Sequence, residues 1–327
     1  MYLAQAFGPA RPNNLHALRL AAAAAVIVSH AWPLAHGPGT AEPLEALTGH
    51  ALGGWAVVLF FFLSGLLIAQ SAATRSAAAF WIARARRILP GLAVALVVTL
   101  LLAAASGAQI TPQTAADYIL RGLTLVSLEH RIAGAYAGNP YALAVNGPLW
   151  SLFHEVAAYA ICFAAIRTGL VQRAPLALLI LSLILWAAAT LWTLPARLET
   201  FAPLFLAFAA GVTVWRLRAR WPLSLPLLAI LLICAPLGWP FAVAALGQAA
   251  LIFGFRAPVI RLRHDLSYGA YIYGWPVAQY ILHQMPGMTA PQLAILSLAA
   301  TLPLALASWL LVETPALRRM RTQPRTA

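Results

Sequence analysis

Long apolar runs separated by short polar gaps dominate this chain. A helix needs roughly 20 apolar residues to cross the hydrocarbon of a bilayer. Runs that qualify lie at approximately 15–36, 52–72, 88–106, 144–166, 175–194, 201–216, 222–238, 239–255, 266–284 and 291–312. The pattern predicts an all-α, polytopic membrane helix bundle of about ten transmembrane helices. Only Gly238-Trp239-Pro240 separates the seventh run from the eighth, so two short spans or one long broken helix would fit there. The longest gap, 107–143, holds Asp117, a moderately apolar stretch from Tyr118 to Leu128, and then Glu129-His130-Arg131. Too short and too charged to span, this stretch is expected to lie along the interface or to fold over the bundle. With no internal repeat in view, the chain divides into an N-terminal tail at 1–14, one transmembrane domain at 15–312 and a C-terminal tail at 313–327.

Composition supports this reading. The 327 residues are 62% hydrophobic and only 9% charged, whereas a soluble domain carries about 25% charged residues to face water. The outer surface must therefore meet lipid. All 21 basic residues are Arg, against 8 acids. A nucleic-acid binder would gather them on one soluble face among aromatics, but here they sit in the gaps between apolar runs, so no nucleic-acid partner is expected. With the N-terminus inside, the outer segments hold only Arg121, Arg131 and Arg197, leaving 21 − 3 = 18 arginines inside. That excess predicts an even number of spans with both tails cytoplasmic. Cys162 and Cys234 each lie in an apolar run and read as small buried hydrophobes. No metal-ligand spacing is present, and no metal is expected. The N-terminus lacks the layout of a cleaved signal peptide, so the first apolar run is expected to be retained.

Ionisable groups at membrane depth are costly and point to function by default. In the first run, Arg19 and His30 are eleven residues apart. That spacing puts both on one helix face, about 16 Å apart along the axis. The plainer alternative is an Arg that snorkels to headgroups and a His that is hydrogen-bonded in the core. The second run contains Phe60-Phe61-Phe62-Leu63-Ser64-Gly65, where Ser64-Gly65 permits a close helix approach or a kink and Ser64 is a weak candidate for the pocket. Arg84, Arg86 and Arg87 stand at the inner mouth of the third run. They serve either as topological anchors or as bidentate phosphate ligands. In the fourth run, Ser151, Glu155 and Tyr159 share a face at i, i+4 and i+8. Glu155 is the one carboxylate well inside a span and needs a partner. An imidazole on another helix would serve, and His30 is the natural choice. Such a His–Glu pair has the chemistry of a general base, with the carboxylate orienting the ring and stabilising its cation.

Taken together, several of these segments resemble the acyltransferase-3 family of bacterial membrane O-acyltransferases. Arg19 and His30 reproduce the family's Arg-(ten residues)-His pattern, and Phe60-Phe61-Phe62-Leu63-Ser64-Gly65 is similar to its Phe-Phe-x-x-Ser-Gly segment. Arg84-x-Arg86-Arg87 with Pro90 fits its basic motif, and Leu149-Trp150-Ser151-Leu152-x-x-Glu155 fits Trp-Ser-Leu-x-x-Glu. Asp265-Leu266-Ser267-Tyr268-Gly269 through Tyr273, and Glu313-x-Pro315, complete a match from about residue 12 to 320. One departure is Gly274-Trp275-Pro276, where many relatives carry His-x-Pro.

The resemblance implies transfer of an acyl group, most often acetyl, from acyl-CoA to a hydroxyl of a carbohydrate, a lipid-linked sugar or a related acceptor, in the bacterial inner membrane. Arg84, Arg86 and Arg87, with Arg19, would hold the CoA phosphates; His30 with Glu155 would deprotonate the acceptor, or His30 would itself carry the acyl group. Ser64, Trp150, Ser151 and Tyr159 would shape the pocket, or simply pack. Tyr271, Tyr273 and Trp275 would stack on a sugar, or form an interfacial aromatic belt. The competing class is a polytopic transporter or flippase that uses intramembrane Arg, His and Glu for proton coupling.

Overall fold

The computed structural model describes residues 1–8, 11–126 and 131–318. Leu128, Glu129 and His130 of the long gap, and residues 319–327 of the C-terminal tail, lie outside the described residues. The elements in chain order are α1 (Leu3–Ala6), α2 (Leu15–His36), α3 (Pro43–Thr48), α4 (Leu52–Thr74), α5 (Ala77–Ala105) and α6 (Pro112–Thr124). There follow α7 (Trp150–Arg167), α8 (Leu170–Arg173), α9 (Ala177–Leu191), α10 (Ala196–Arg216) and α11 (Leu225–Cys234). The last four are α12 (Trp239–Arg256), α13 (Ser267–Gln284), α14 (Ala290–Ser308) and α15 (Thr314–Arg318). The fold is all-helical, and the described residues form isolated β-bridges but no strand.

A helix stands at each apolar run identified in the sequence. Six are long and apolar enough to cross a membrane: α2, α4, α5, α10, α12 and the run from α14 through α15. The others are shorter or more polar, and α13 shows why. Its residues Ser267 to Gln279 are buried throughout, so their polarity is set by protein neighbours rather than by lipid. Between α11 and α12 the chain makes a short 3-10 turn, Ala235–Leu237, and then reverses at Gly238 with φ +150°. Two helices packed on one another result; they are not one broken helix. The fourth run begins later than its hydropathy indicates, because residues 144–149 are non-helical and α7 starts at Trp150. The basic cluster belongs to the first turns of the 29-residue α5, not to a loop before it.

The chain forms two compact units. The first comprises Met1–Arg19, Val57–Phe80 and His154–Leu262. Here α4 and α10 touch backbone to backbone. A methyl on Gly65 would stand 2.0 Å from the Phe208 carbonyl oxygen, and one on Gly211 would stand 2.1 Å from that of Phe62. Small residues at such a crossing let helices pack where lipid offers no hydrophobic driving force. The N-terminal segment is anchored too. Leu3 N–H donates to the Trp221 carbonyl at 2.9 Å, and Leu223 N–H to that of Met1 at 3.0 Å. Asn14, fully buried, donates to the carbonyls of Phe253 and Pro258 and accepts from Ile260 N–H.

The second unit comprises Leu20–Ala56, Trp81–Phe153 and Arg263–Ala327. Its distinctive part is the non-helical stretch 131–149, which holds buried Ile132, Ala135, Tyr136, Val145, Asn146 and Leu149. Irregular backbone survives in a membrane protein where protein groups satisfy it, and α13 does so here. Asn146 Nδ2 donates to the Ile272 carbonyl, Asn139 Nδ2 to that of Gln279, and Gln279 Nε2 to those of Tyr141 and Ala144. Residues 131–149 therefore pack into their unit, and α6 packs there through Tyr118 and Gly122, the latter against Leu96.

Candidate active site

His30 lies in the second half of α2 and lines a cavity of about 300 Å³ in the second unit. Tyr141, Trp150 and Trp275 supply aromatic walls, Ala144 and Gly147 give small surfaces, and Arg131 adds a guanidinium. Trp275 orients the histidine. The two rings meet edge-on at 5.0 Å and 78°. Trp275 is itself held by its Nε1–H, which donates to the Ala144 carbonyl at 3.0 Å, and by Tyr141 at 5.3 Å. A side chain at Gly147 would press on the Trp275 ring at 3.3 Å, so a larger residue here would have to displace that ring by a few tenths of an ångström. The cavity is at the small end of the range typical of ligand pockets. It offers a half-buried imidazole, one cation and several ring faces.

Glu155 belongs to the first unit. Its Oε1 accepts from Tyr159 O–H, on the next turn of α7, and from Ser64 Oγ on α4 at 3.2 Å. Gly65 lets α4 seat against α10 (above), and Ser64 is its chain neighbour. The i, i+4 spacing from Glu155 to Tyr159 thus forms a hydrogen bond, and the Ser-Gly pair provides both a packing contact and a donor. Neutral hydroxyls hold this carboxylate and leave its charge uncompensated by them.

The basic cluster is divided. Arg87 donates to Asp265 Oδ2 at 2.7 Å and to Glu313 Oε2 at 3.2 Å, with 16% of its side chain exposed. The Tyr268 and Trp309 rings each lie 5.7 Å from its guanidinium carbon. Asp265 also accepts from Ser267 Oγ at 2.6 Å, and Glu313, on a π-helical turn Trp309–Glu313, accepts from Ser308 Oγ. Arg84 and Arg86 are half-buried on the same helix. Arg86 Nη1 is buried and without a hydrogen-bond partner among the described residues, which leaves it a donor for a ligand anion. Arg19 is half-buried in the first turns of α2.

Of the remaining sequence candidates, Ser151 and Tyr271 share a hydrogen bond of 2.6 Å, and Tyr271 O–H also reaches the Pro148 carbonyl. Tyr273 is buried near Ser308. Neither tyrosine lines the cavity, whereas Trp275 does. His154 stacks on Phe201, its Nε2 3.1 Å from Thr200 Oγ1. Sequence reasoning missed Tyr141, Ala144 and Gly147, and counted Arg131 only for topology. Tyr136, in the same segment, has φ +49° and is fully buried. Burial, with smaller contributions from Tyr118 and Tyr280, raises its phenol above the ordinary tyrosine range. Among the described residues no group of three His, Cys, Asp or Glu side chains converges on a metal position.

Comparison with known proteins places the chain among membrane acyltransferases. The chain is 27% identical over 340 residues to an O-acetyl transferase of Shigella phage Sf6, covering 94% of this chain and 97% of that protein. It is 26% identical over 351 residues to Nodulation protein 10 of Rhizobium leguminosarum bv. viciae, covering 94% and 93%. No solved structure matches. The acyltransferase-domain profile of the acyltransferase-3 family matches residues 13–309. With its apolar helices and that match along nearly all its length, the chain belongs to the acyltransferase-3 family and is an integral membrane acyltransferase.

Proposed function

We propose that this protein is an inner-membrane O-acetyltransferase that moves an acetyl group from acetyl-CoA to a hydroxyl of a carbohydrate or lipid-linked sugar, with His30 as general base. The observation that carries this reading is the cavity beside His30, where Trp275 fixes the imidazole in a wall of aromatic side chains. The likeness to the O-acetyl transferase of Shigella phage Sf6 favours acetyl as the group transferred. His30 takes the proton from the acceptor hydroxyl as that oxygen attacks the thioester carbonyl. The new C–O bond forms, the C–S bond breaks, and the proton passes to the departing CoA sulfur. General-base assistance of this kind contributes roughly 10²–10⁴-fold.

In this reading Glu155 balances the imidazolium. The two residues belong to different units, and their pairing rests on the sequence argument and on the experiment below. Arg86, with its partnerless buried Nη1, and Arg84 are the donor-phosphate ligands, with Arg19 as a further cation. Two carboxylates already occupy Arg87, so its part is to fix the helix that carries Arg84 and Arg86.

The test uses purified protein in detergent with [¹⁴C]acetyl-CoA, following CoA release, retained label and calorimetric acetyl-CoA binding. Release should fall by at least about 10²-fold in both His30→Ala and Glu155→Ala, while binding persists. Label held by wild type and absent from His30→Ala would mean that the histidine carries the acetyl group. Absence of acetyl-CoA binding, in wild type as in Arg86→Ala, would overturn the donor assignment.

A further inference from the structure

We propose that the cavity beside His30 takes an acceptor sugar bearing an anionic group, a carboxylate or a phosphate, and that Arg131 selects it. This rests on the reading of the cavity as the acceptor site. Among the described residues that line it, Arg131 carries the sole permanent charge and no carboxylate is present. Tyr141, Trp150 and Trp275 supply faces for a pyranose ring, while the guanidinium offers the planar fork that pairs with carboxylate or phosphate oxygens.

Topology does not account for an arginine here. The chain places 18 of its 21 arginines in segments expected inside, and Arg131 is one of three elsewhere. Nor is its position incidental. Arg131 pairs with Ala144 in an isolated antiparallel bridge, and Ile132 N–H donates to the Leu143 carbonyl at 3.1 Å. The Ala144 carbonyl receives both Trp275 Nε1–H and Gln279 Nε2–H. Two residues of this segment, Tyr136 and Leu143, hold positive φ, +49° and +67°. Such conformations persist only where surrounding structure enforces them, and they gather at ligand sites. The backbone carrying Arg131 is thus tied to the α13 side chain that orients His30. A charge at the cavity rim and the catalytic imidazole share one scaffold, so an anion held by Arg131 would position its sugar hydroxyls against His30.

The full-length protein in detergent, with no donor present, would be titrated calorimetrically with methyl glucuronoside, glucose 6-phosphate and the neutral methyl glucoside. At least one anionic probe should bind about tenfold more tightly than the neutral one. That preference should weaken with added salt and vanish in Arg131→Gln, whose melting temperature serves as the folding control. Comparing the two anionic probes tells carboxylate from phosphate. Equal or tighter binding of the neutral glucoside, a preference that survives Arg131→Gln, or no binding of either anionic probe would each overturn the proposal. CoA release and its dependence on His30 are read separately, so the acyltransferase reading can stand when this one fails.

Discussion

Two carboxylate sites at helix depth are solved in opposite ways. Around Arg87, Asp265 and Glu313 enclose a guanidinium, two aromatic rings flank it, and serine hydroxyls occupy remaining acceptor positions. Among the described residues, Glu155 accepts from the hydroxyls of Ser64 and Tyr159. The first arrangement pairs the cation with two carboxylates and ties α5 to the segment before α13 and to the π-helical turn before α15. The second holds a carboxylate through neutral hydroxyls alone, as the proposed role of Glu155 beside a transient imidazolium requires. Both sites lie in segments that resemble motifs of the family, so that resemblance by itself does not separate scaffold from chemistry. The hydrogen-bond partners do.

Removing the cation should give the largest effect. Arg87→Ala leaves two buried carboxylates uncompensated and should cost about 3–5 kcal/mol of stability, seen as loss of monodisperse protein by size exclusion and a lowered Tm. Adding Asp265→Asn and Glu313→Gln should recover much of that loss. Next comes Glu155→Gln, which keeps an acceptor for Ser64 and Tyr159. It should leave the Tm nearly unchanged while CoA release falls by about 10²-fold or more. If Glu155→Gln instead unfolds the protein, the contrast between the two sites collapses. The smallest effect belongs to Tyr159→Phe, which removes one hydrogen bond to a charged acceptor and should cost about 1.5–3 kcal/mol between stability and activity, read from melting and turnover together.

The sequence revealed much of the scaffold. Every helix-length apolar run became a helix, and Ser64-Gly65 marked a close crossing. Ser151, Glu155 and Tyr159 each have a polar partner. The cavity was legible only in part. His30 and Trp275 stood out, but Tyr141, Ala144 and Gly147 lie in a segment with no periodicity. Its burial depends on bonds from Gln279 and Trp275, more than 130 residues away, and no local pattern encodes that. Arg87 illustrates the reverse limit. Its charge suggested a phosphate ligand, and only the position of Asp265 and Glu313 shows that it is already engaged.

The chain has glycine at 274, where many relatives place histidine. A methyl built there would stand 2.6 Å from Ile27 Cγ1, and an imidazole needs far more room. The residues at 27 and 274 therefore compete for the same space. Gly274→His alone should therefore be destabilising, and a smaller residue at 27 should relieve part of the loss. Gly274 thus sets how closely α2 and α13 approach at this level of the second unit.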